Sequence, residues 1–171
     1  MNALFEEMIV RKELSDNFCF YAKSYNDLRS IPAWAVTTLQ KHQNDVHEFT
    51  YTTKELEYAN THDEIWNAAQ KELTSSGKMH GYLRMYCAKK ILEWSVIPQQ
   101  AIKSAVYLND AHAIDGDDPK GYVKILGSIA APHDQPRAER PIFGTVHYMK
   151  EAGLRRKFDV GQYIGRVMTH E

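Results

Sequence analysis

The chain is poor in residues that staple or chelate. Of its 171 residues only two are cysteine, Cys19 and Cys87, and neither belongs to a CxxC pair. That excludes a disulfide framework and a cysteine zinc site; thiols kept reduced fit a cytoplasmic setting. Long apolar runs are missing, so no segment reads as a membrane span. The opening MNALFEEMIVRK lacks the basic start and apolar run of a secretory leader. There is no glycine-rich phosphate loop, no HExxH, and no strand–turn–helix setting for a Ser or Cys nucleophile. The eight histidines are scattered, and His42 and His47, five apart, do not share a helix face, so no metal site is expected. Charge of one sign is lacking too: 21 basic residues stand against 22 acidic ones. That excludes a uniformly basic nucleic-acid-coating domain and leaves room only for a local patch. No useful stretch alternates at the strand period, and no repeat or low-complexity segment occurs.

What remains is helical. Residues 3–22 carry Leu4, Met8, Val10, Leu14, Phe18 and Tyr21 as an apolar face, with Glu13 beside it: a solvated carboxylate or one at a cleft wall. Pro32 opens a second helix with Trp34, Val36 and Leu39 inward. Thr52-x-x-Glu55 and Thr61-x-x-Glu64 read as capping boxes, the second starting a helix through Trp66 to Ser75-Ser76-Gly77. Pro98 and Asp118-Pro119 start two more, around an acidic loop containing Asp110, Asp115, Asp117 and Asp118 that lacks EF-hand spacing. Residues 131–153 show no helical period, and Asp159-x-x-Gln162 caps a last helix. The fold class expected is all-α: one domain, an orthogonal array of helices with long connections.

The chain is organised around Lys78–Trp94, KMHGYLRMYCAKKILEW. At 100° per residue, Tyr82, Tyr86, Lys89, Lys90 and Glu93 fall on one side. Leu83, Met85, Cys87, Ala88, Ile91, Leu92 and Trp94 form an apolar arc on the other. Arg84 falls in the middle of that arc. A guanidinium there needs a partner, because an isolated buried charge costs several kcal/mol. Two readings stand: a structural Arg–carboxylate pair, or an Arg facing a bound anion or cofactor.

The runs EEMIVRKELSDNFCFY, THDEIWNAAQ, GKMHGYLRMYCAKKILEW, YLNDAHAIDGDDPKGYV, HDQPRAERPIFG and GLRRKFDV, in that order, closely resemble class II cyclobutane pyrimidine dimer photolyases. The resemblance covers essentially the whole chain. It implies the C-terminal part of the FAD-binding helical domain of a light-driven DNA repair lyase, without the N-terminal α/β domain and the first half of the helical domain. It also implies roles. Asn109 would sit against flavin N5, and Arg84 would pair with Asp115 beside the isoalloxazine ring. Asp134 would belong to the same pocket. Glu13 and Met85 would contact the flipped-out dimer, and Trp66 and Trp94 would be members of the tryptophan relay that photoreduces FAD.

Departures from the pattern are equally specific. The flavin-proximal relay Trp is Cys87, Trp is replaced by Gly127 and by Arg137, and Arg by His147; the family's DGRDPNGY reads DGDDPKGY, with Asp117 and Lys120. Each lost stacking partner removes about 1–3 kcal/mol of base binding. Three readings stand beside one another: light-driven, FAD-dependent repair of cyclobutane pyrimidine dimers in UV-damaged DNA, a non-catalytic flavin-binding or protein-interaction module, or a degenerate remnant with no retained activity. The chain's partners would be a complementary photolyase half or a second copy, with no membrane, and apolar surface is expected to be exposed where that partner packs.

Overall fold

The computed structural model describes residues 3–130 and 135–169. Its helices are α1 (Ala3–Phe5), α2 (Arg11–Tyr21), α3 (Ala33–Lys41), α4 (Thr53–Glu57), α5 (Glu64–Ser76), α6 (Gly81–Trp94), α7 (Pro98–His112), α8 (Pro119–Ala130), α9 (Glu151–Arg155) and α10 (Val160–Met168). A π-helical turn, Glu6–Val10, joins α1 to α2 without a break. Among the described residues there is no strand, only an isolated bridge between Arg140 and Gly144. None of the helices is long and apolar enough to cross a membrane. The all-α architecture expected from the pattern is the one observed.

The central helix is enclosed on more sides than its pattern suggests. α6 packs against α5, α7 and α8. Leu83, Cys87, Ala88, Ile91, Leu92 and Trp94 are buried, and so are Tyr86 and Lys89 from the side that projected as polar. Those two are accommodated because each polar atom has a partner. The Tyr86 hydroxyl donates to Asp63 Oδ2, and Lys89 Nζ donates to the carbonyls of Ser128 (2.7 Å) and His147 (2.6 Å). A helical projection assumes water outside the apolar arc; here the cap of α5, the end of α8 and the 135–149 segment replace it.

Two further expectations change for physical reasons. The cap of α5 is Asp63, whose carboxylate accepts from Trp66 N at 2.9 Å, while Thr61 instead bonds Asn67 Oδ1 at 2.7 Å. The side face of the first helical run is exposed rather than buried: Leu4, Phe5, Met8, Ile9, Leu14, Phe20 and Tyr21 all lie open, while Ser15, Phe18 and Cys19 approach the body. The remaining caps match the sequence. Thr52 and Glu55 form a reciprocal capping box, and Asp159 accepts from Gln162 N. α9, a single turn too short to establish a period, falls partly in the stretch that reads as irregular.

The 139–146 segment is tied down by a polar knot at the C-terminal end of α3. His42 Nδ1 lies 2.6 Å from Asp45 Oδ2, and its Nε2 3.0 Å from Glu139 Oε1, which also takes Lys41 Nζ at 2.6 Å. Asp45 Oδ2 accepts the Ile142 N–H as well, at 2.8 Å. Gly144 closes the turn at φ +54°, where a Cβ would fall 2.1 Å from Thr38 Oγ1, so neither the conformation nor the space admits a side chain. Glu139 first, then Asp45, raise the imidazole of His42 above its ordinary value. A raised histidine stabilises the fold while protonated. Its contribution is whole below the unfolded value of about 6.5 and is lost as pH rises through the folded value. The thermal midpoint is therefore expected to fall from weakly acidic to weakly basic pH, and His42→Gln to flatten that slope.

Candidate functional site

A cleft of about 560 Å³ opens between the first helical run, α6, α7 and α8. Its walls are mostly apolar, and its rim carries Glu7, Arg11, Arg84, Lys120 and Lys124. Arg84 stands in the first turn of α6, which reaches the mouth. Its side chain is 23% exposed, so it lies at the edge of the buried arc and not at its centre. Its NH2 meets Asp115 Oδ1 at 2.8 Å and its NH1 meets Oδ2 at 3.2 Å, a two-pronged pair; NH1 also lies 3.4 Å from Asn109 Oδ1. Partial burial opposes the ionised form of Asp115, but the hydrogen bond and charge of Arg84 outweigh it and hold the carboxyl below its usual value. The pair is thus kept at neutral pH and lost as pH falls through that lowered value.

Asn109 is held from two sides. Its Nδ2 donates to Asp110 Oδ1 at 3.0 Å, and the backbone of Gly121 passes so near that a Cβ there would come within 2.9 Å of the same nitrogen. Asp110 in turn accepts from Tyr122 OH (3.0 Å) and from Asp117 N (3.2 Å). The acidic loop therefore orients one amide and one guanidinium at the mouth. Lys124, exposed beside them, has its pKa lowered by desolvation and then by Lys120.

Deeper in, the wall is formed by Trp66, Gln70, Leu73, Cys87 and Ile91. Trp66 Nε1 donates to the Cys87 carbonyl at 3.2 Å, and the Trp66 and Trp94 rings meet at 5.7 Å between centroids, inclined by 66°. Burial, then Asp63, push the Cys87 thiol well up, so it remains protonated. Gln70 is 2% exposed, and its Nε2 has no hydrogen-bond partner. A buried unsatisfied amide at a cleft floor is a costly feature.

Of the residues singled out in the sequence, the structure brings Arg84, Asp115 and Asn109 together and puts Trp66 against Trp94. Met85 lines the mouth and is 40% exposed, because position along the helix axis matters as much as angle. Glu13 is exposed and does not line the cleft. Asp134 lies outside the described residues. Gly127 and His147 line the cleft, whereas Arg137 lies in a neighbouring groove of about 500 Å³. The reading missed Glu7. Glu7, Arg11 and Ser15, spaced by four, form the stripe of the first helical run that faces the cleft; Glu13 stands on another face of that run. Lys120 Nζ grips Glu7 Oε2 at 2.8 Å, and that contact holds the Glu7 carboxyl below its ordinary value.

No protein-family model matches the chain. Curated relatives do. The chain is 52% identical over 167 residues to the deoxyribodipyrimidine photo-lyase of Oryza sativa subsp. japonica, covering 98% of this chain and 33% of the relative. It is 52% identical over 162 residues to that of Potorous tridactylus (95% and 30%) and 50% identical over 162 residues to that of Methanothermobacter thermautotrophicus (95% and 36%). The chain spans about a third of the length of these relatives. Over nearly its whole length it is a homologue of proteins named deoxyribodipyrimidine photo-lyase.

Proposed function

We propose that this chain is the flavin-facing, C-terminal helical part of a class II photolyase-type protein, and that its cleft takes the isoalloxazine end of FAD. The observation that carries the reading is the Arg84–Asp115–Asn109 cluster at the mouth of an apolar slot. A flat tricyclic ring with one polar edge matches apolar walls that end in an oriented amide and guanidinium. The cationic rim suits an attached pyrophosphate, and the orphaned Gln70 amide offers a donor at the floor. When bound, FAD supplies light-driven one-electron chemistry. The chain's own part is to orient the ring edge through Asn109, to fix Arg84 through Asp115, and to exclude water with the α6 and α8 walls. Homology of most of the chain to photolyases supports UV-damaged DNA as the polymer that reaches the mouth, with Met85 and Glu7 nearest to a flipped-out base. Further photolyase polypeptide is the partner that the open apolar face of the first helical run fits, and the length of the relatives supports it. Such a protein would act in the cytoplasm.

This chain also carries substitutions that weaken substrate binding. At Gly127 an added Cβ meets nothing within 4 Å, so the cleft offers open space where the resemblance puts a stacking indole. The reading is therefore flavin binding with poor dimer recognition. Purified chain mixed with FAD should give a saturable flavin complex, and an unaltered free-flavin spectrum at all protein concentrations would refute it. Gly127→Trp is expected to tighten binding of a dimer-containing oligonucleotide by about 1–3 kcal/mol per stacked base. Fluorescence anisotropy against an undamaged control reads that gain.

A further inference from the structure

We propose that the Glu7 carboxylate is a built-in competitor at an anion-binding pair formed by Lys120 and Lys124, and that phosphate-class anions enter the cleft mouth by displacing it. All three residues line the cleft, Glu7 from the first helical run and the two lysines from α8. Lys120 Nζ lies 2.8 Å from Glu7 Oε2, and Lys124 Nζ approaches the same oxygen at 3.9 Å. Lys120 Nζ also donates to the Glu7 carbonyl at 2.9 Å. The contact therefore reaches across the mouth and holds the π-helical turn Glu6–Val10 against the start of α8.

The charges at this corner do not balance. Arg11 is paired with Glu6 at 3.2 Å, and Arg84 with Asp115 at 2.8 Å. Among the described residues, Glu7 then offers one negative charge to two ammonium groups. Desolvation, and then the neighbouring Lys120, lower the pKa of Lys124, as expected of a cation short of counter-charge. A dianion would serve both lysines at once. Lys120 is also where this chain, reading DGDDPKGY, departs from the photolyase pattern, which has Asn at that position. An amide there would leave the corner without this second cation.

Glu7 has the properties of a displaceable group. Its side chain is 54% exposed, so the ion pair is screened and contributes little to stability. Being tethered, the carboxylate competes at an effective concentration on the order of millimolar. A free monoanion such as acetate has no advantage over it. A pyrophosphate or phosphate monoester brings a second charge and more acceptor oxygens, and takes both lysines. The flavin reading names one source of such an anion, the pyrophosphate of the cofactor. The competition itself is tested without FAD, so its failure is separable from failure of that reading.

Inorganic pyrophosphate is titrated into the isotopically labelled chain at low salt, and the amide signals of Gly121 and Lys124 are followed by NMR. Saturable shifts are expected, with none from acetate at the same concentration. Glu7→Gln keeps the shape and removes the competing charge; it should tighten pyrophosphate binding about tenfold, a gain that shrinks as salt rises. Lys120→Asn should weaken binding by a similar factor. Both variants should keep the parent's thermal midpoint, since the exposed pair contributes little. The Glu7 carboxyl gives a second readout. Its bond to Lys120 holds it below its ordinary value, and saturating pyrophosphate should raise it, because the lysine has turned away and a second anion stands nearby. Unchanged or weaker binding in Glu7→Gln would overturn the proposal, as would a Glu7 carboxyl that titrates alike with and without pyrophosphate. A chain that behaves as expected toward pyrophosphate but takes up no FAD would refute the flavin reading and leave the competition standing.

Discussion

Replacing Asp63 by alanine is expected to lower the unfolding free energy by about 3 kcal/mol. One carboxylate serves two elements. Its Oδ1 caps α5 by accepting from Trp66 N, and its Oδ2 accepts the hydroxyl of Tyr86, a fully buried residue of α6. Loss of the cap costs about 1 kcal/mol. Loss of a charged acceptor leaves a buried phenol unsatisfied, at about 1.5–3 kcal/mol. Burial, then Asp63, push the Tyr86 phenol up, so it remains the donor at every physiological pH. Asp63→Asn should cost only about 1 kcal/mol, because its amide oxygen still caps the helix and its amide nitrogen can donate to the phenol oxygen. Urea unfolding with an unchanged denaturant slope measures both. Equal losses for the two variants would show that charge, and not hydrogen-bond capacity, is what Tyr86 requires.

Arg84→Ala is expected to weaken FAD binding on the order of 10- to 100-fold while hardly altering stability. The two effects separate because of where the pair sits. Asp115 is 56% exposed and Arg84 23%, so their mutual attraction is screened, and an exposed ion pair contributes only about 0–1 kcal/mol. A ligand that covers the mouth removes that screening. The same guanidinium then makes charge-assisted bonds in a drier site, worth about 1.5–3 kcal/mol. Arg84→Lys should recover little, since an ammonium does not present the planar fork that Asp115 holds in two places. A large stability loss in Arg84→Ala, with unchanged flavin affinity, would make the pair purely structural.

How far the sequence could be read depended on the kind of signal. Helix existence was legible because caps and prolines act locally: Thr52-x-x-Glu55 and Asp159-x-x-Gln162 do in the structure what their spacing says. Burial was less legible. The angle that placed Arg84 amid apolar neighbours ignored that the first turn of α6 reaches a cleft mouth. The angle that placed Lys89 toward water ignored two carbonyls waiting for it. The first helical run misled in the opposite direction, with its apolar residues open and its Glu7–Arg11–Ser15 stripe turned to the cleft. The Arg84–Asp115 pair was reached only through the family resemblance, because 31 residues separate its members and no local pattern links them.

The cleft beside Arg84 and Asn109 is proposed to receive an isoalloxazine ring. A difference-absorption titration of FAD into the purified chain tests it most directly, because a ring moved from water into an apolar slot changes the shape of its visible band. The expected result is a saturable, structured flavin band whose midpoint moves to higher FAD concentration when Asn109 or Arg84 is replaced by alanine. A flat difference spectrum up to the solubility of FAD, or a band indifferent to both substitutions, would contradict it.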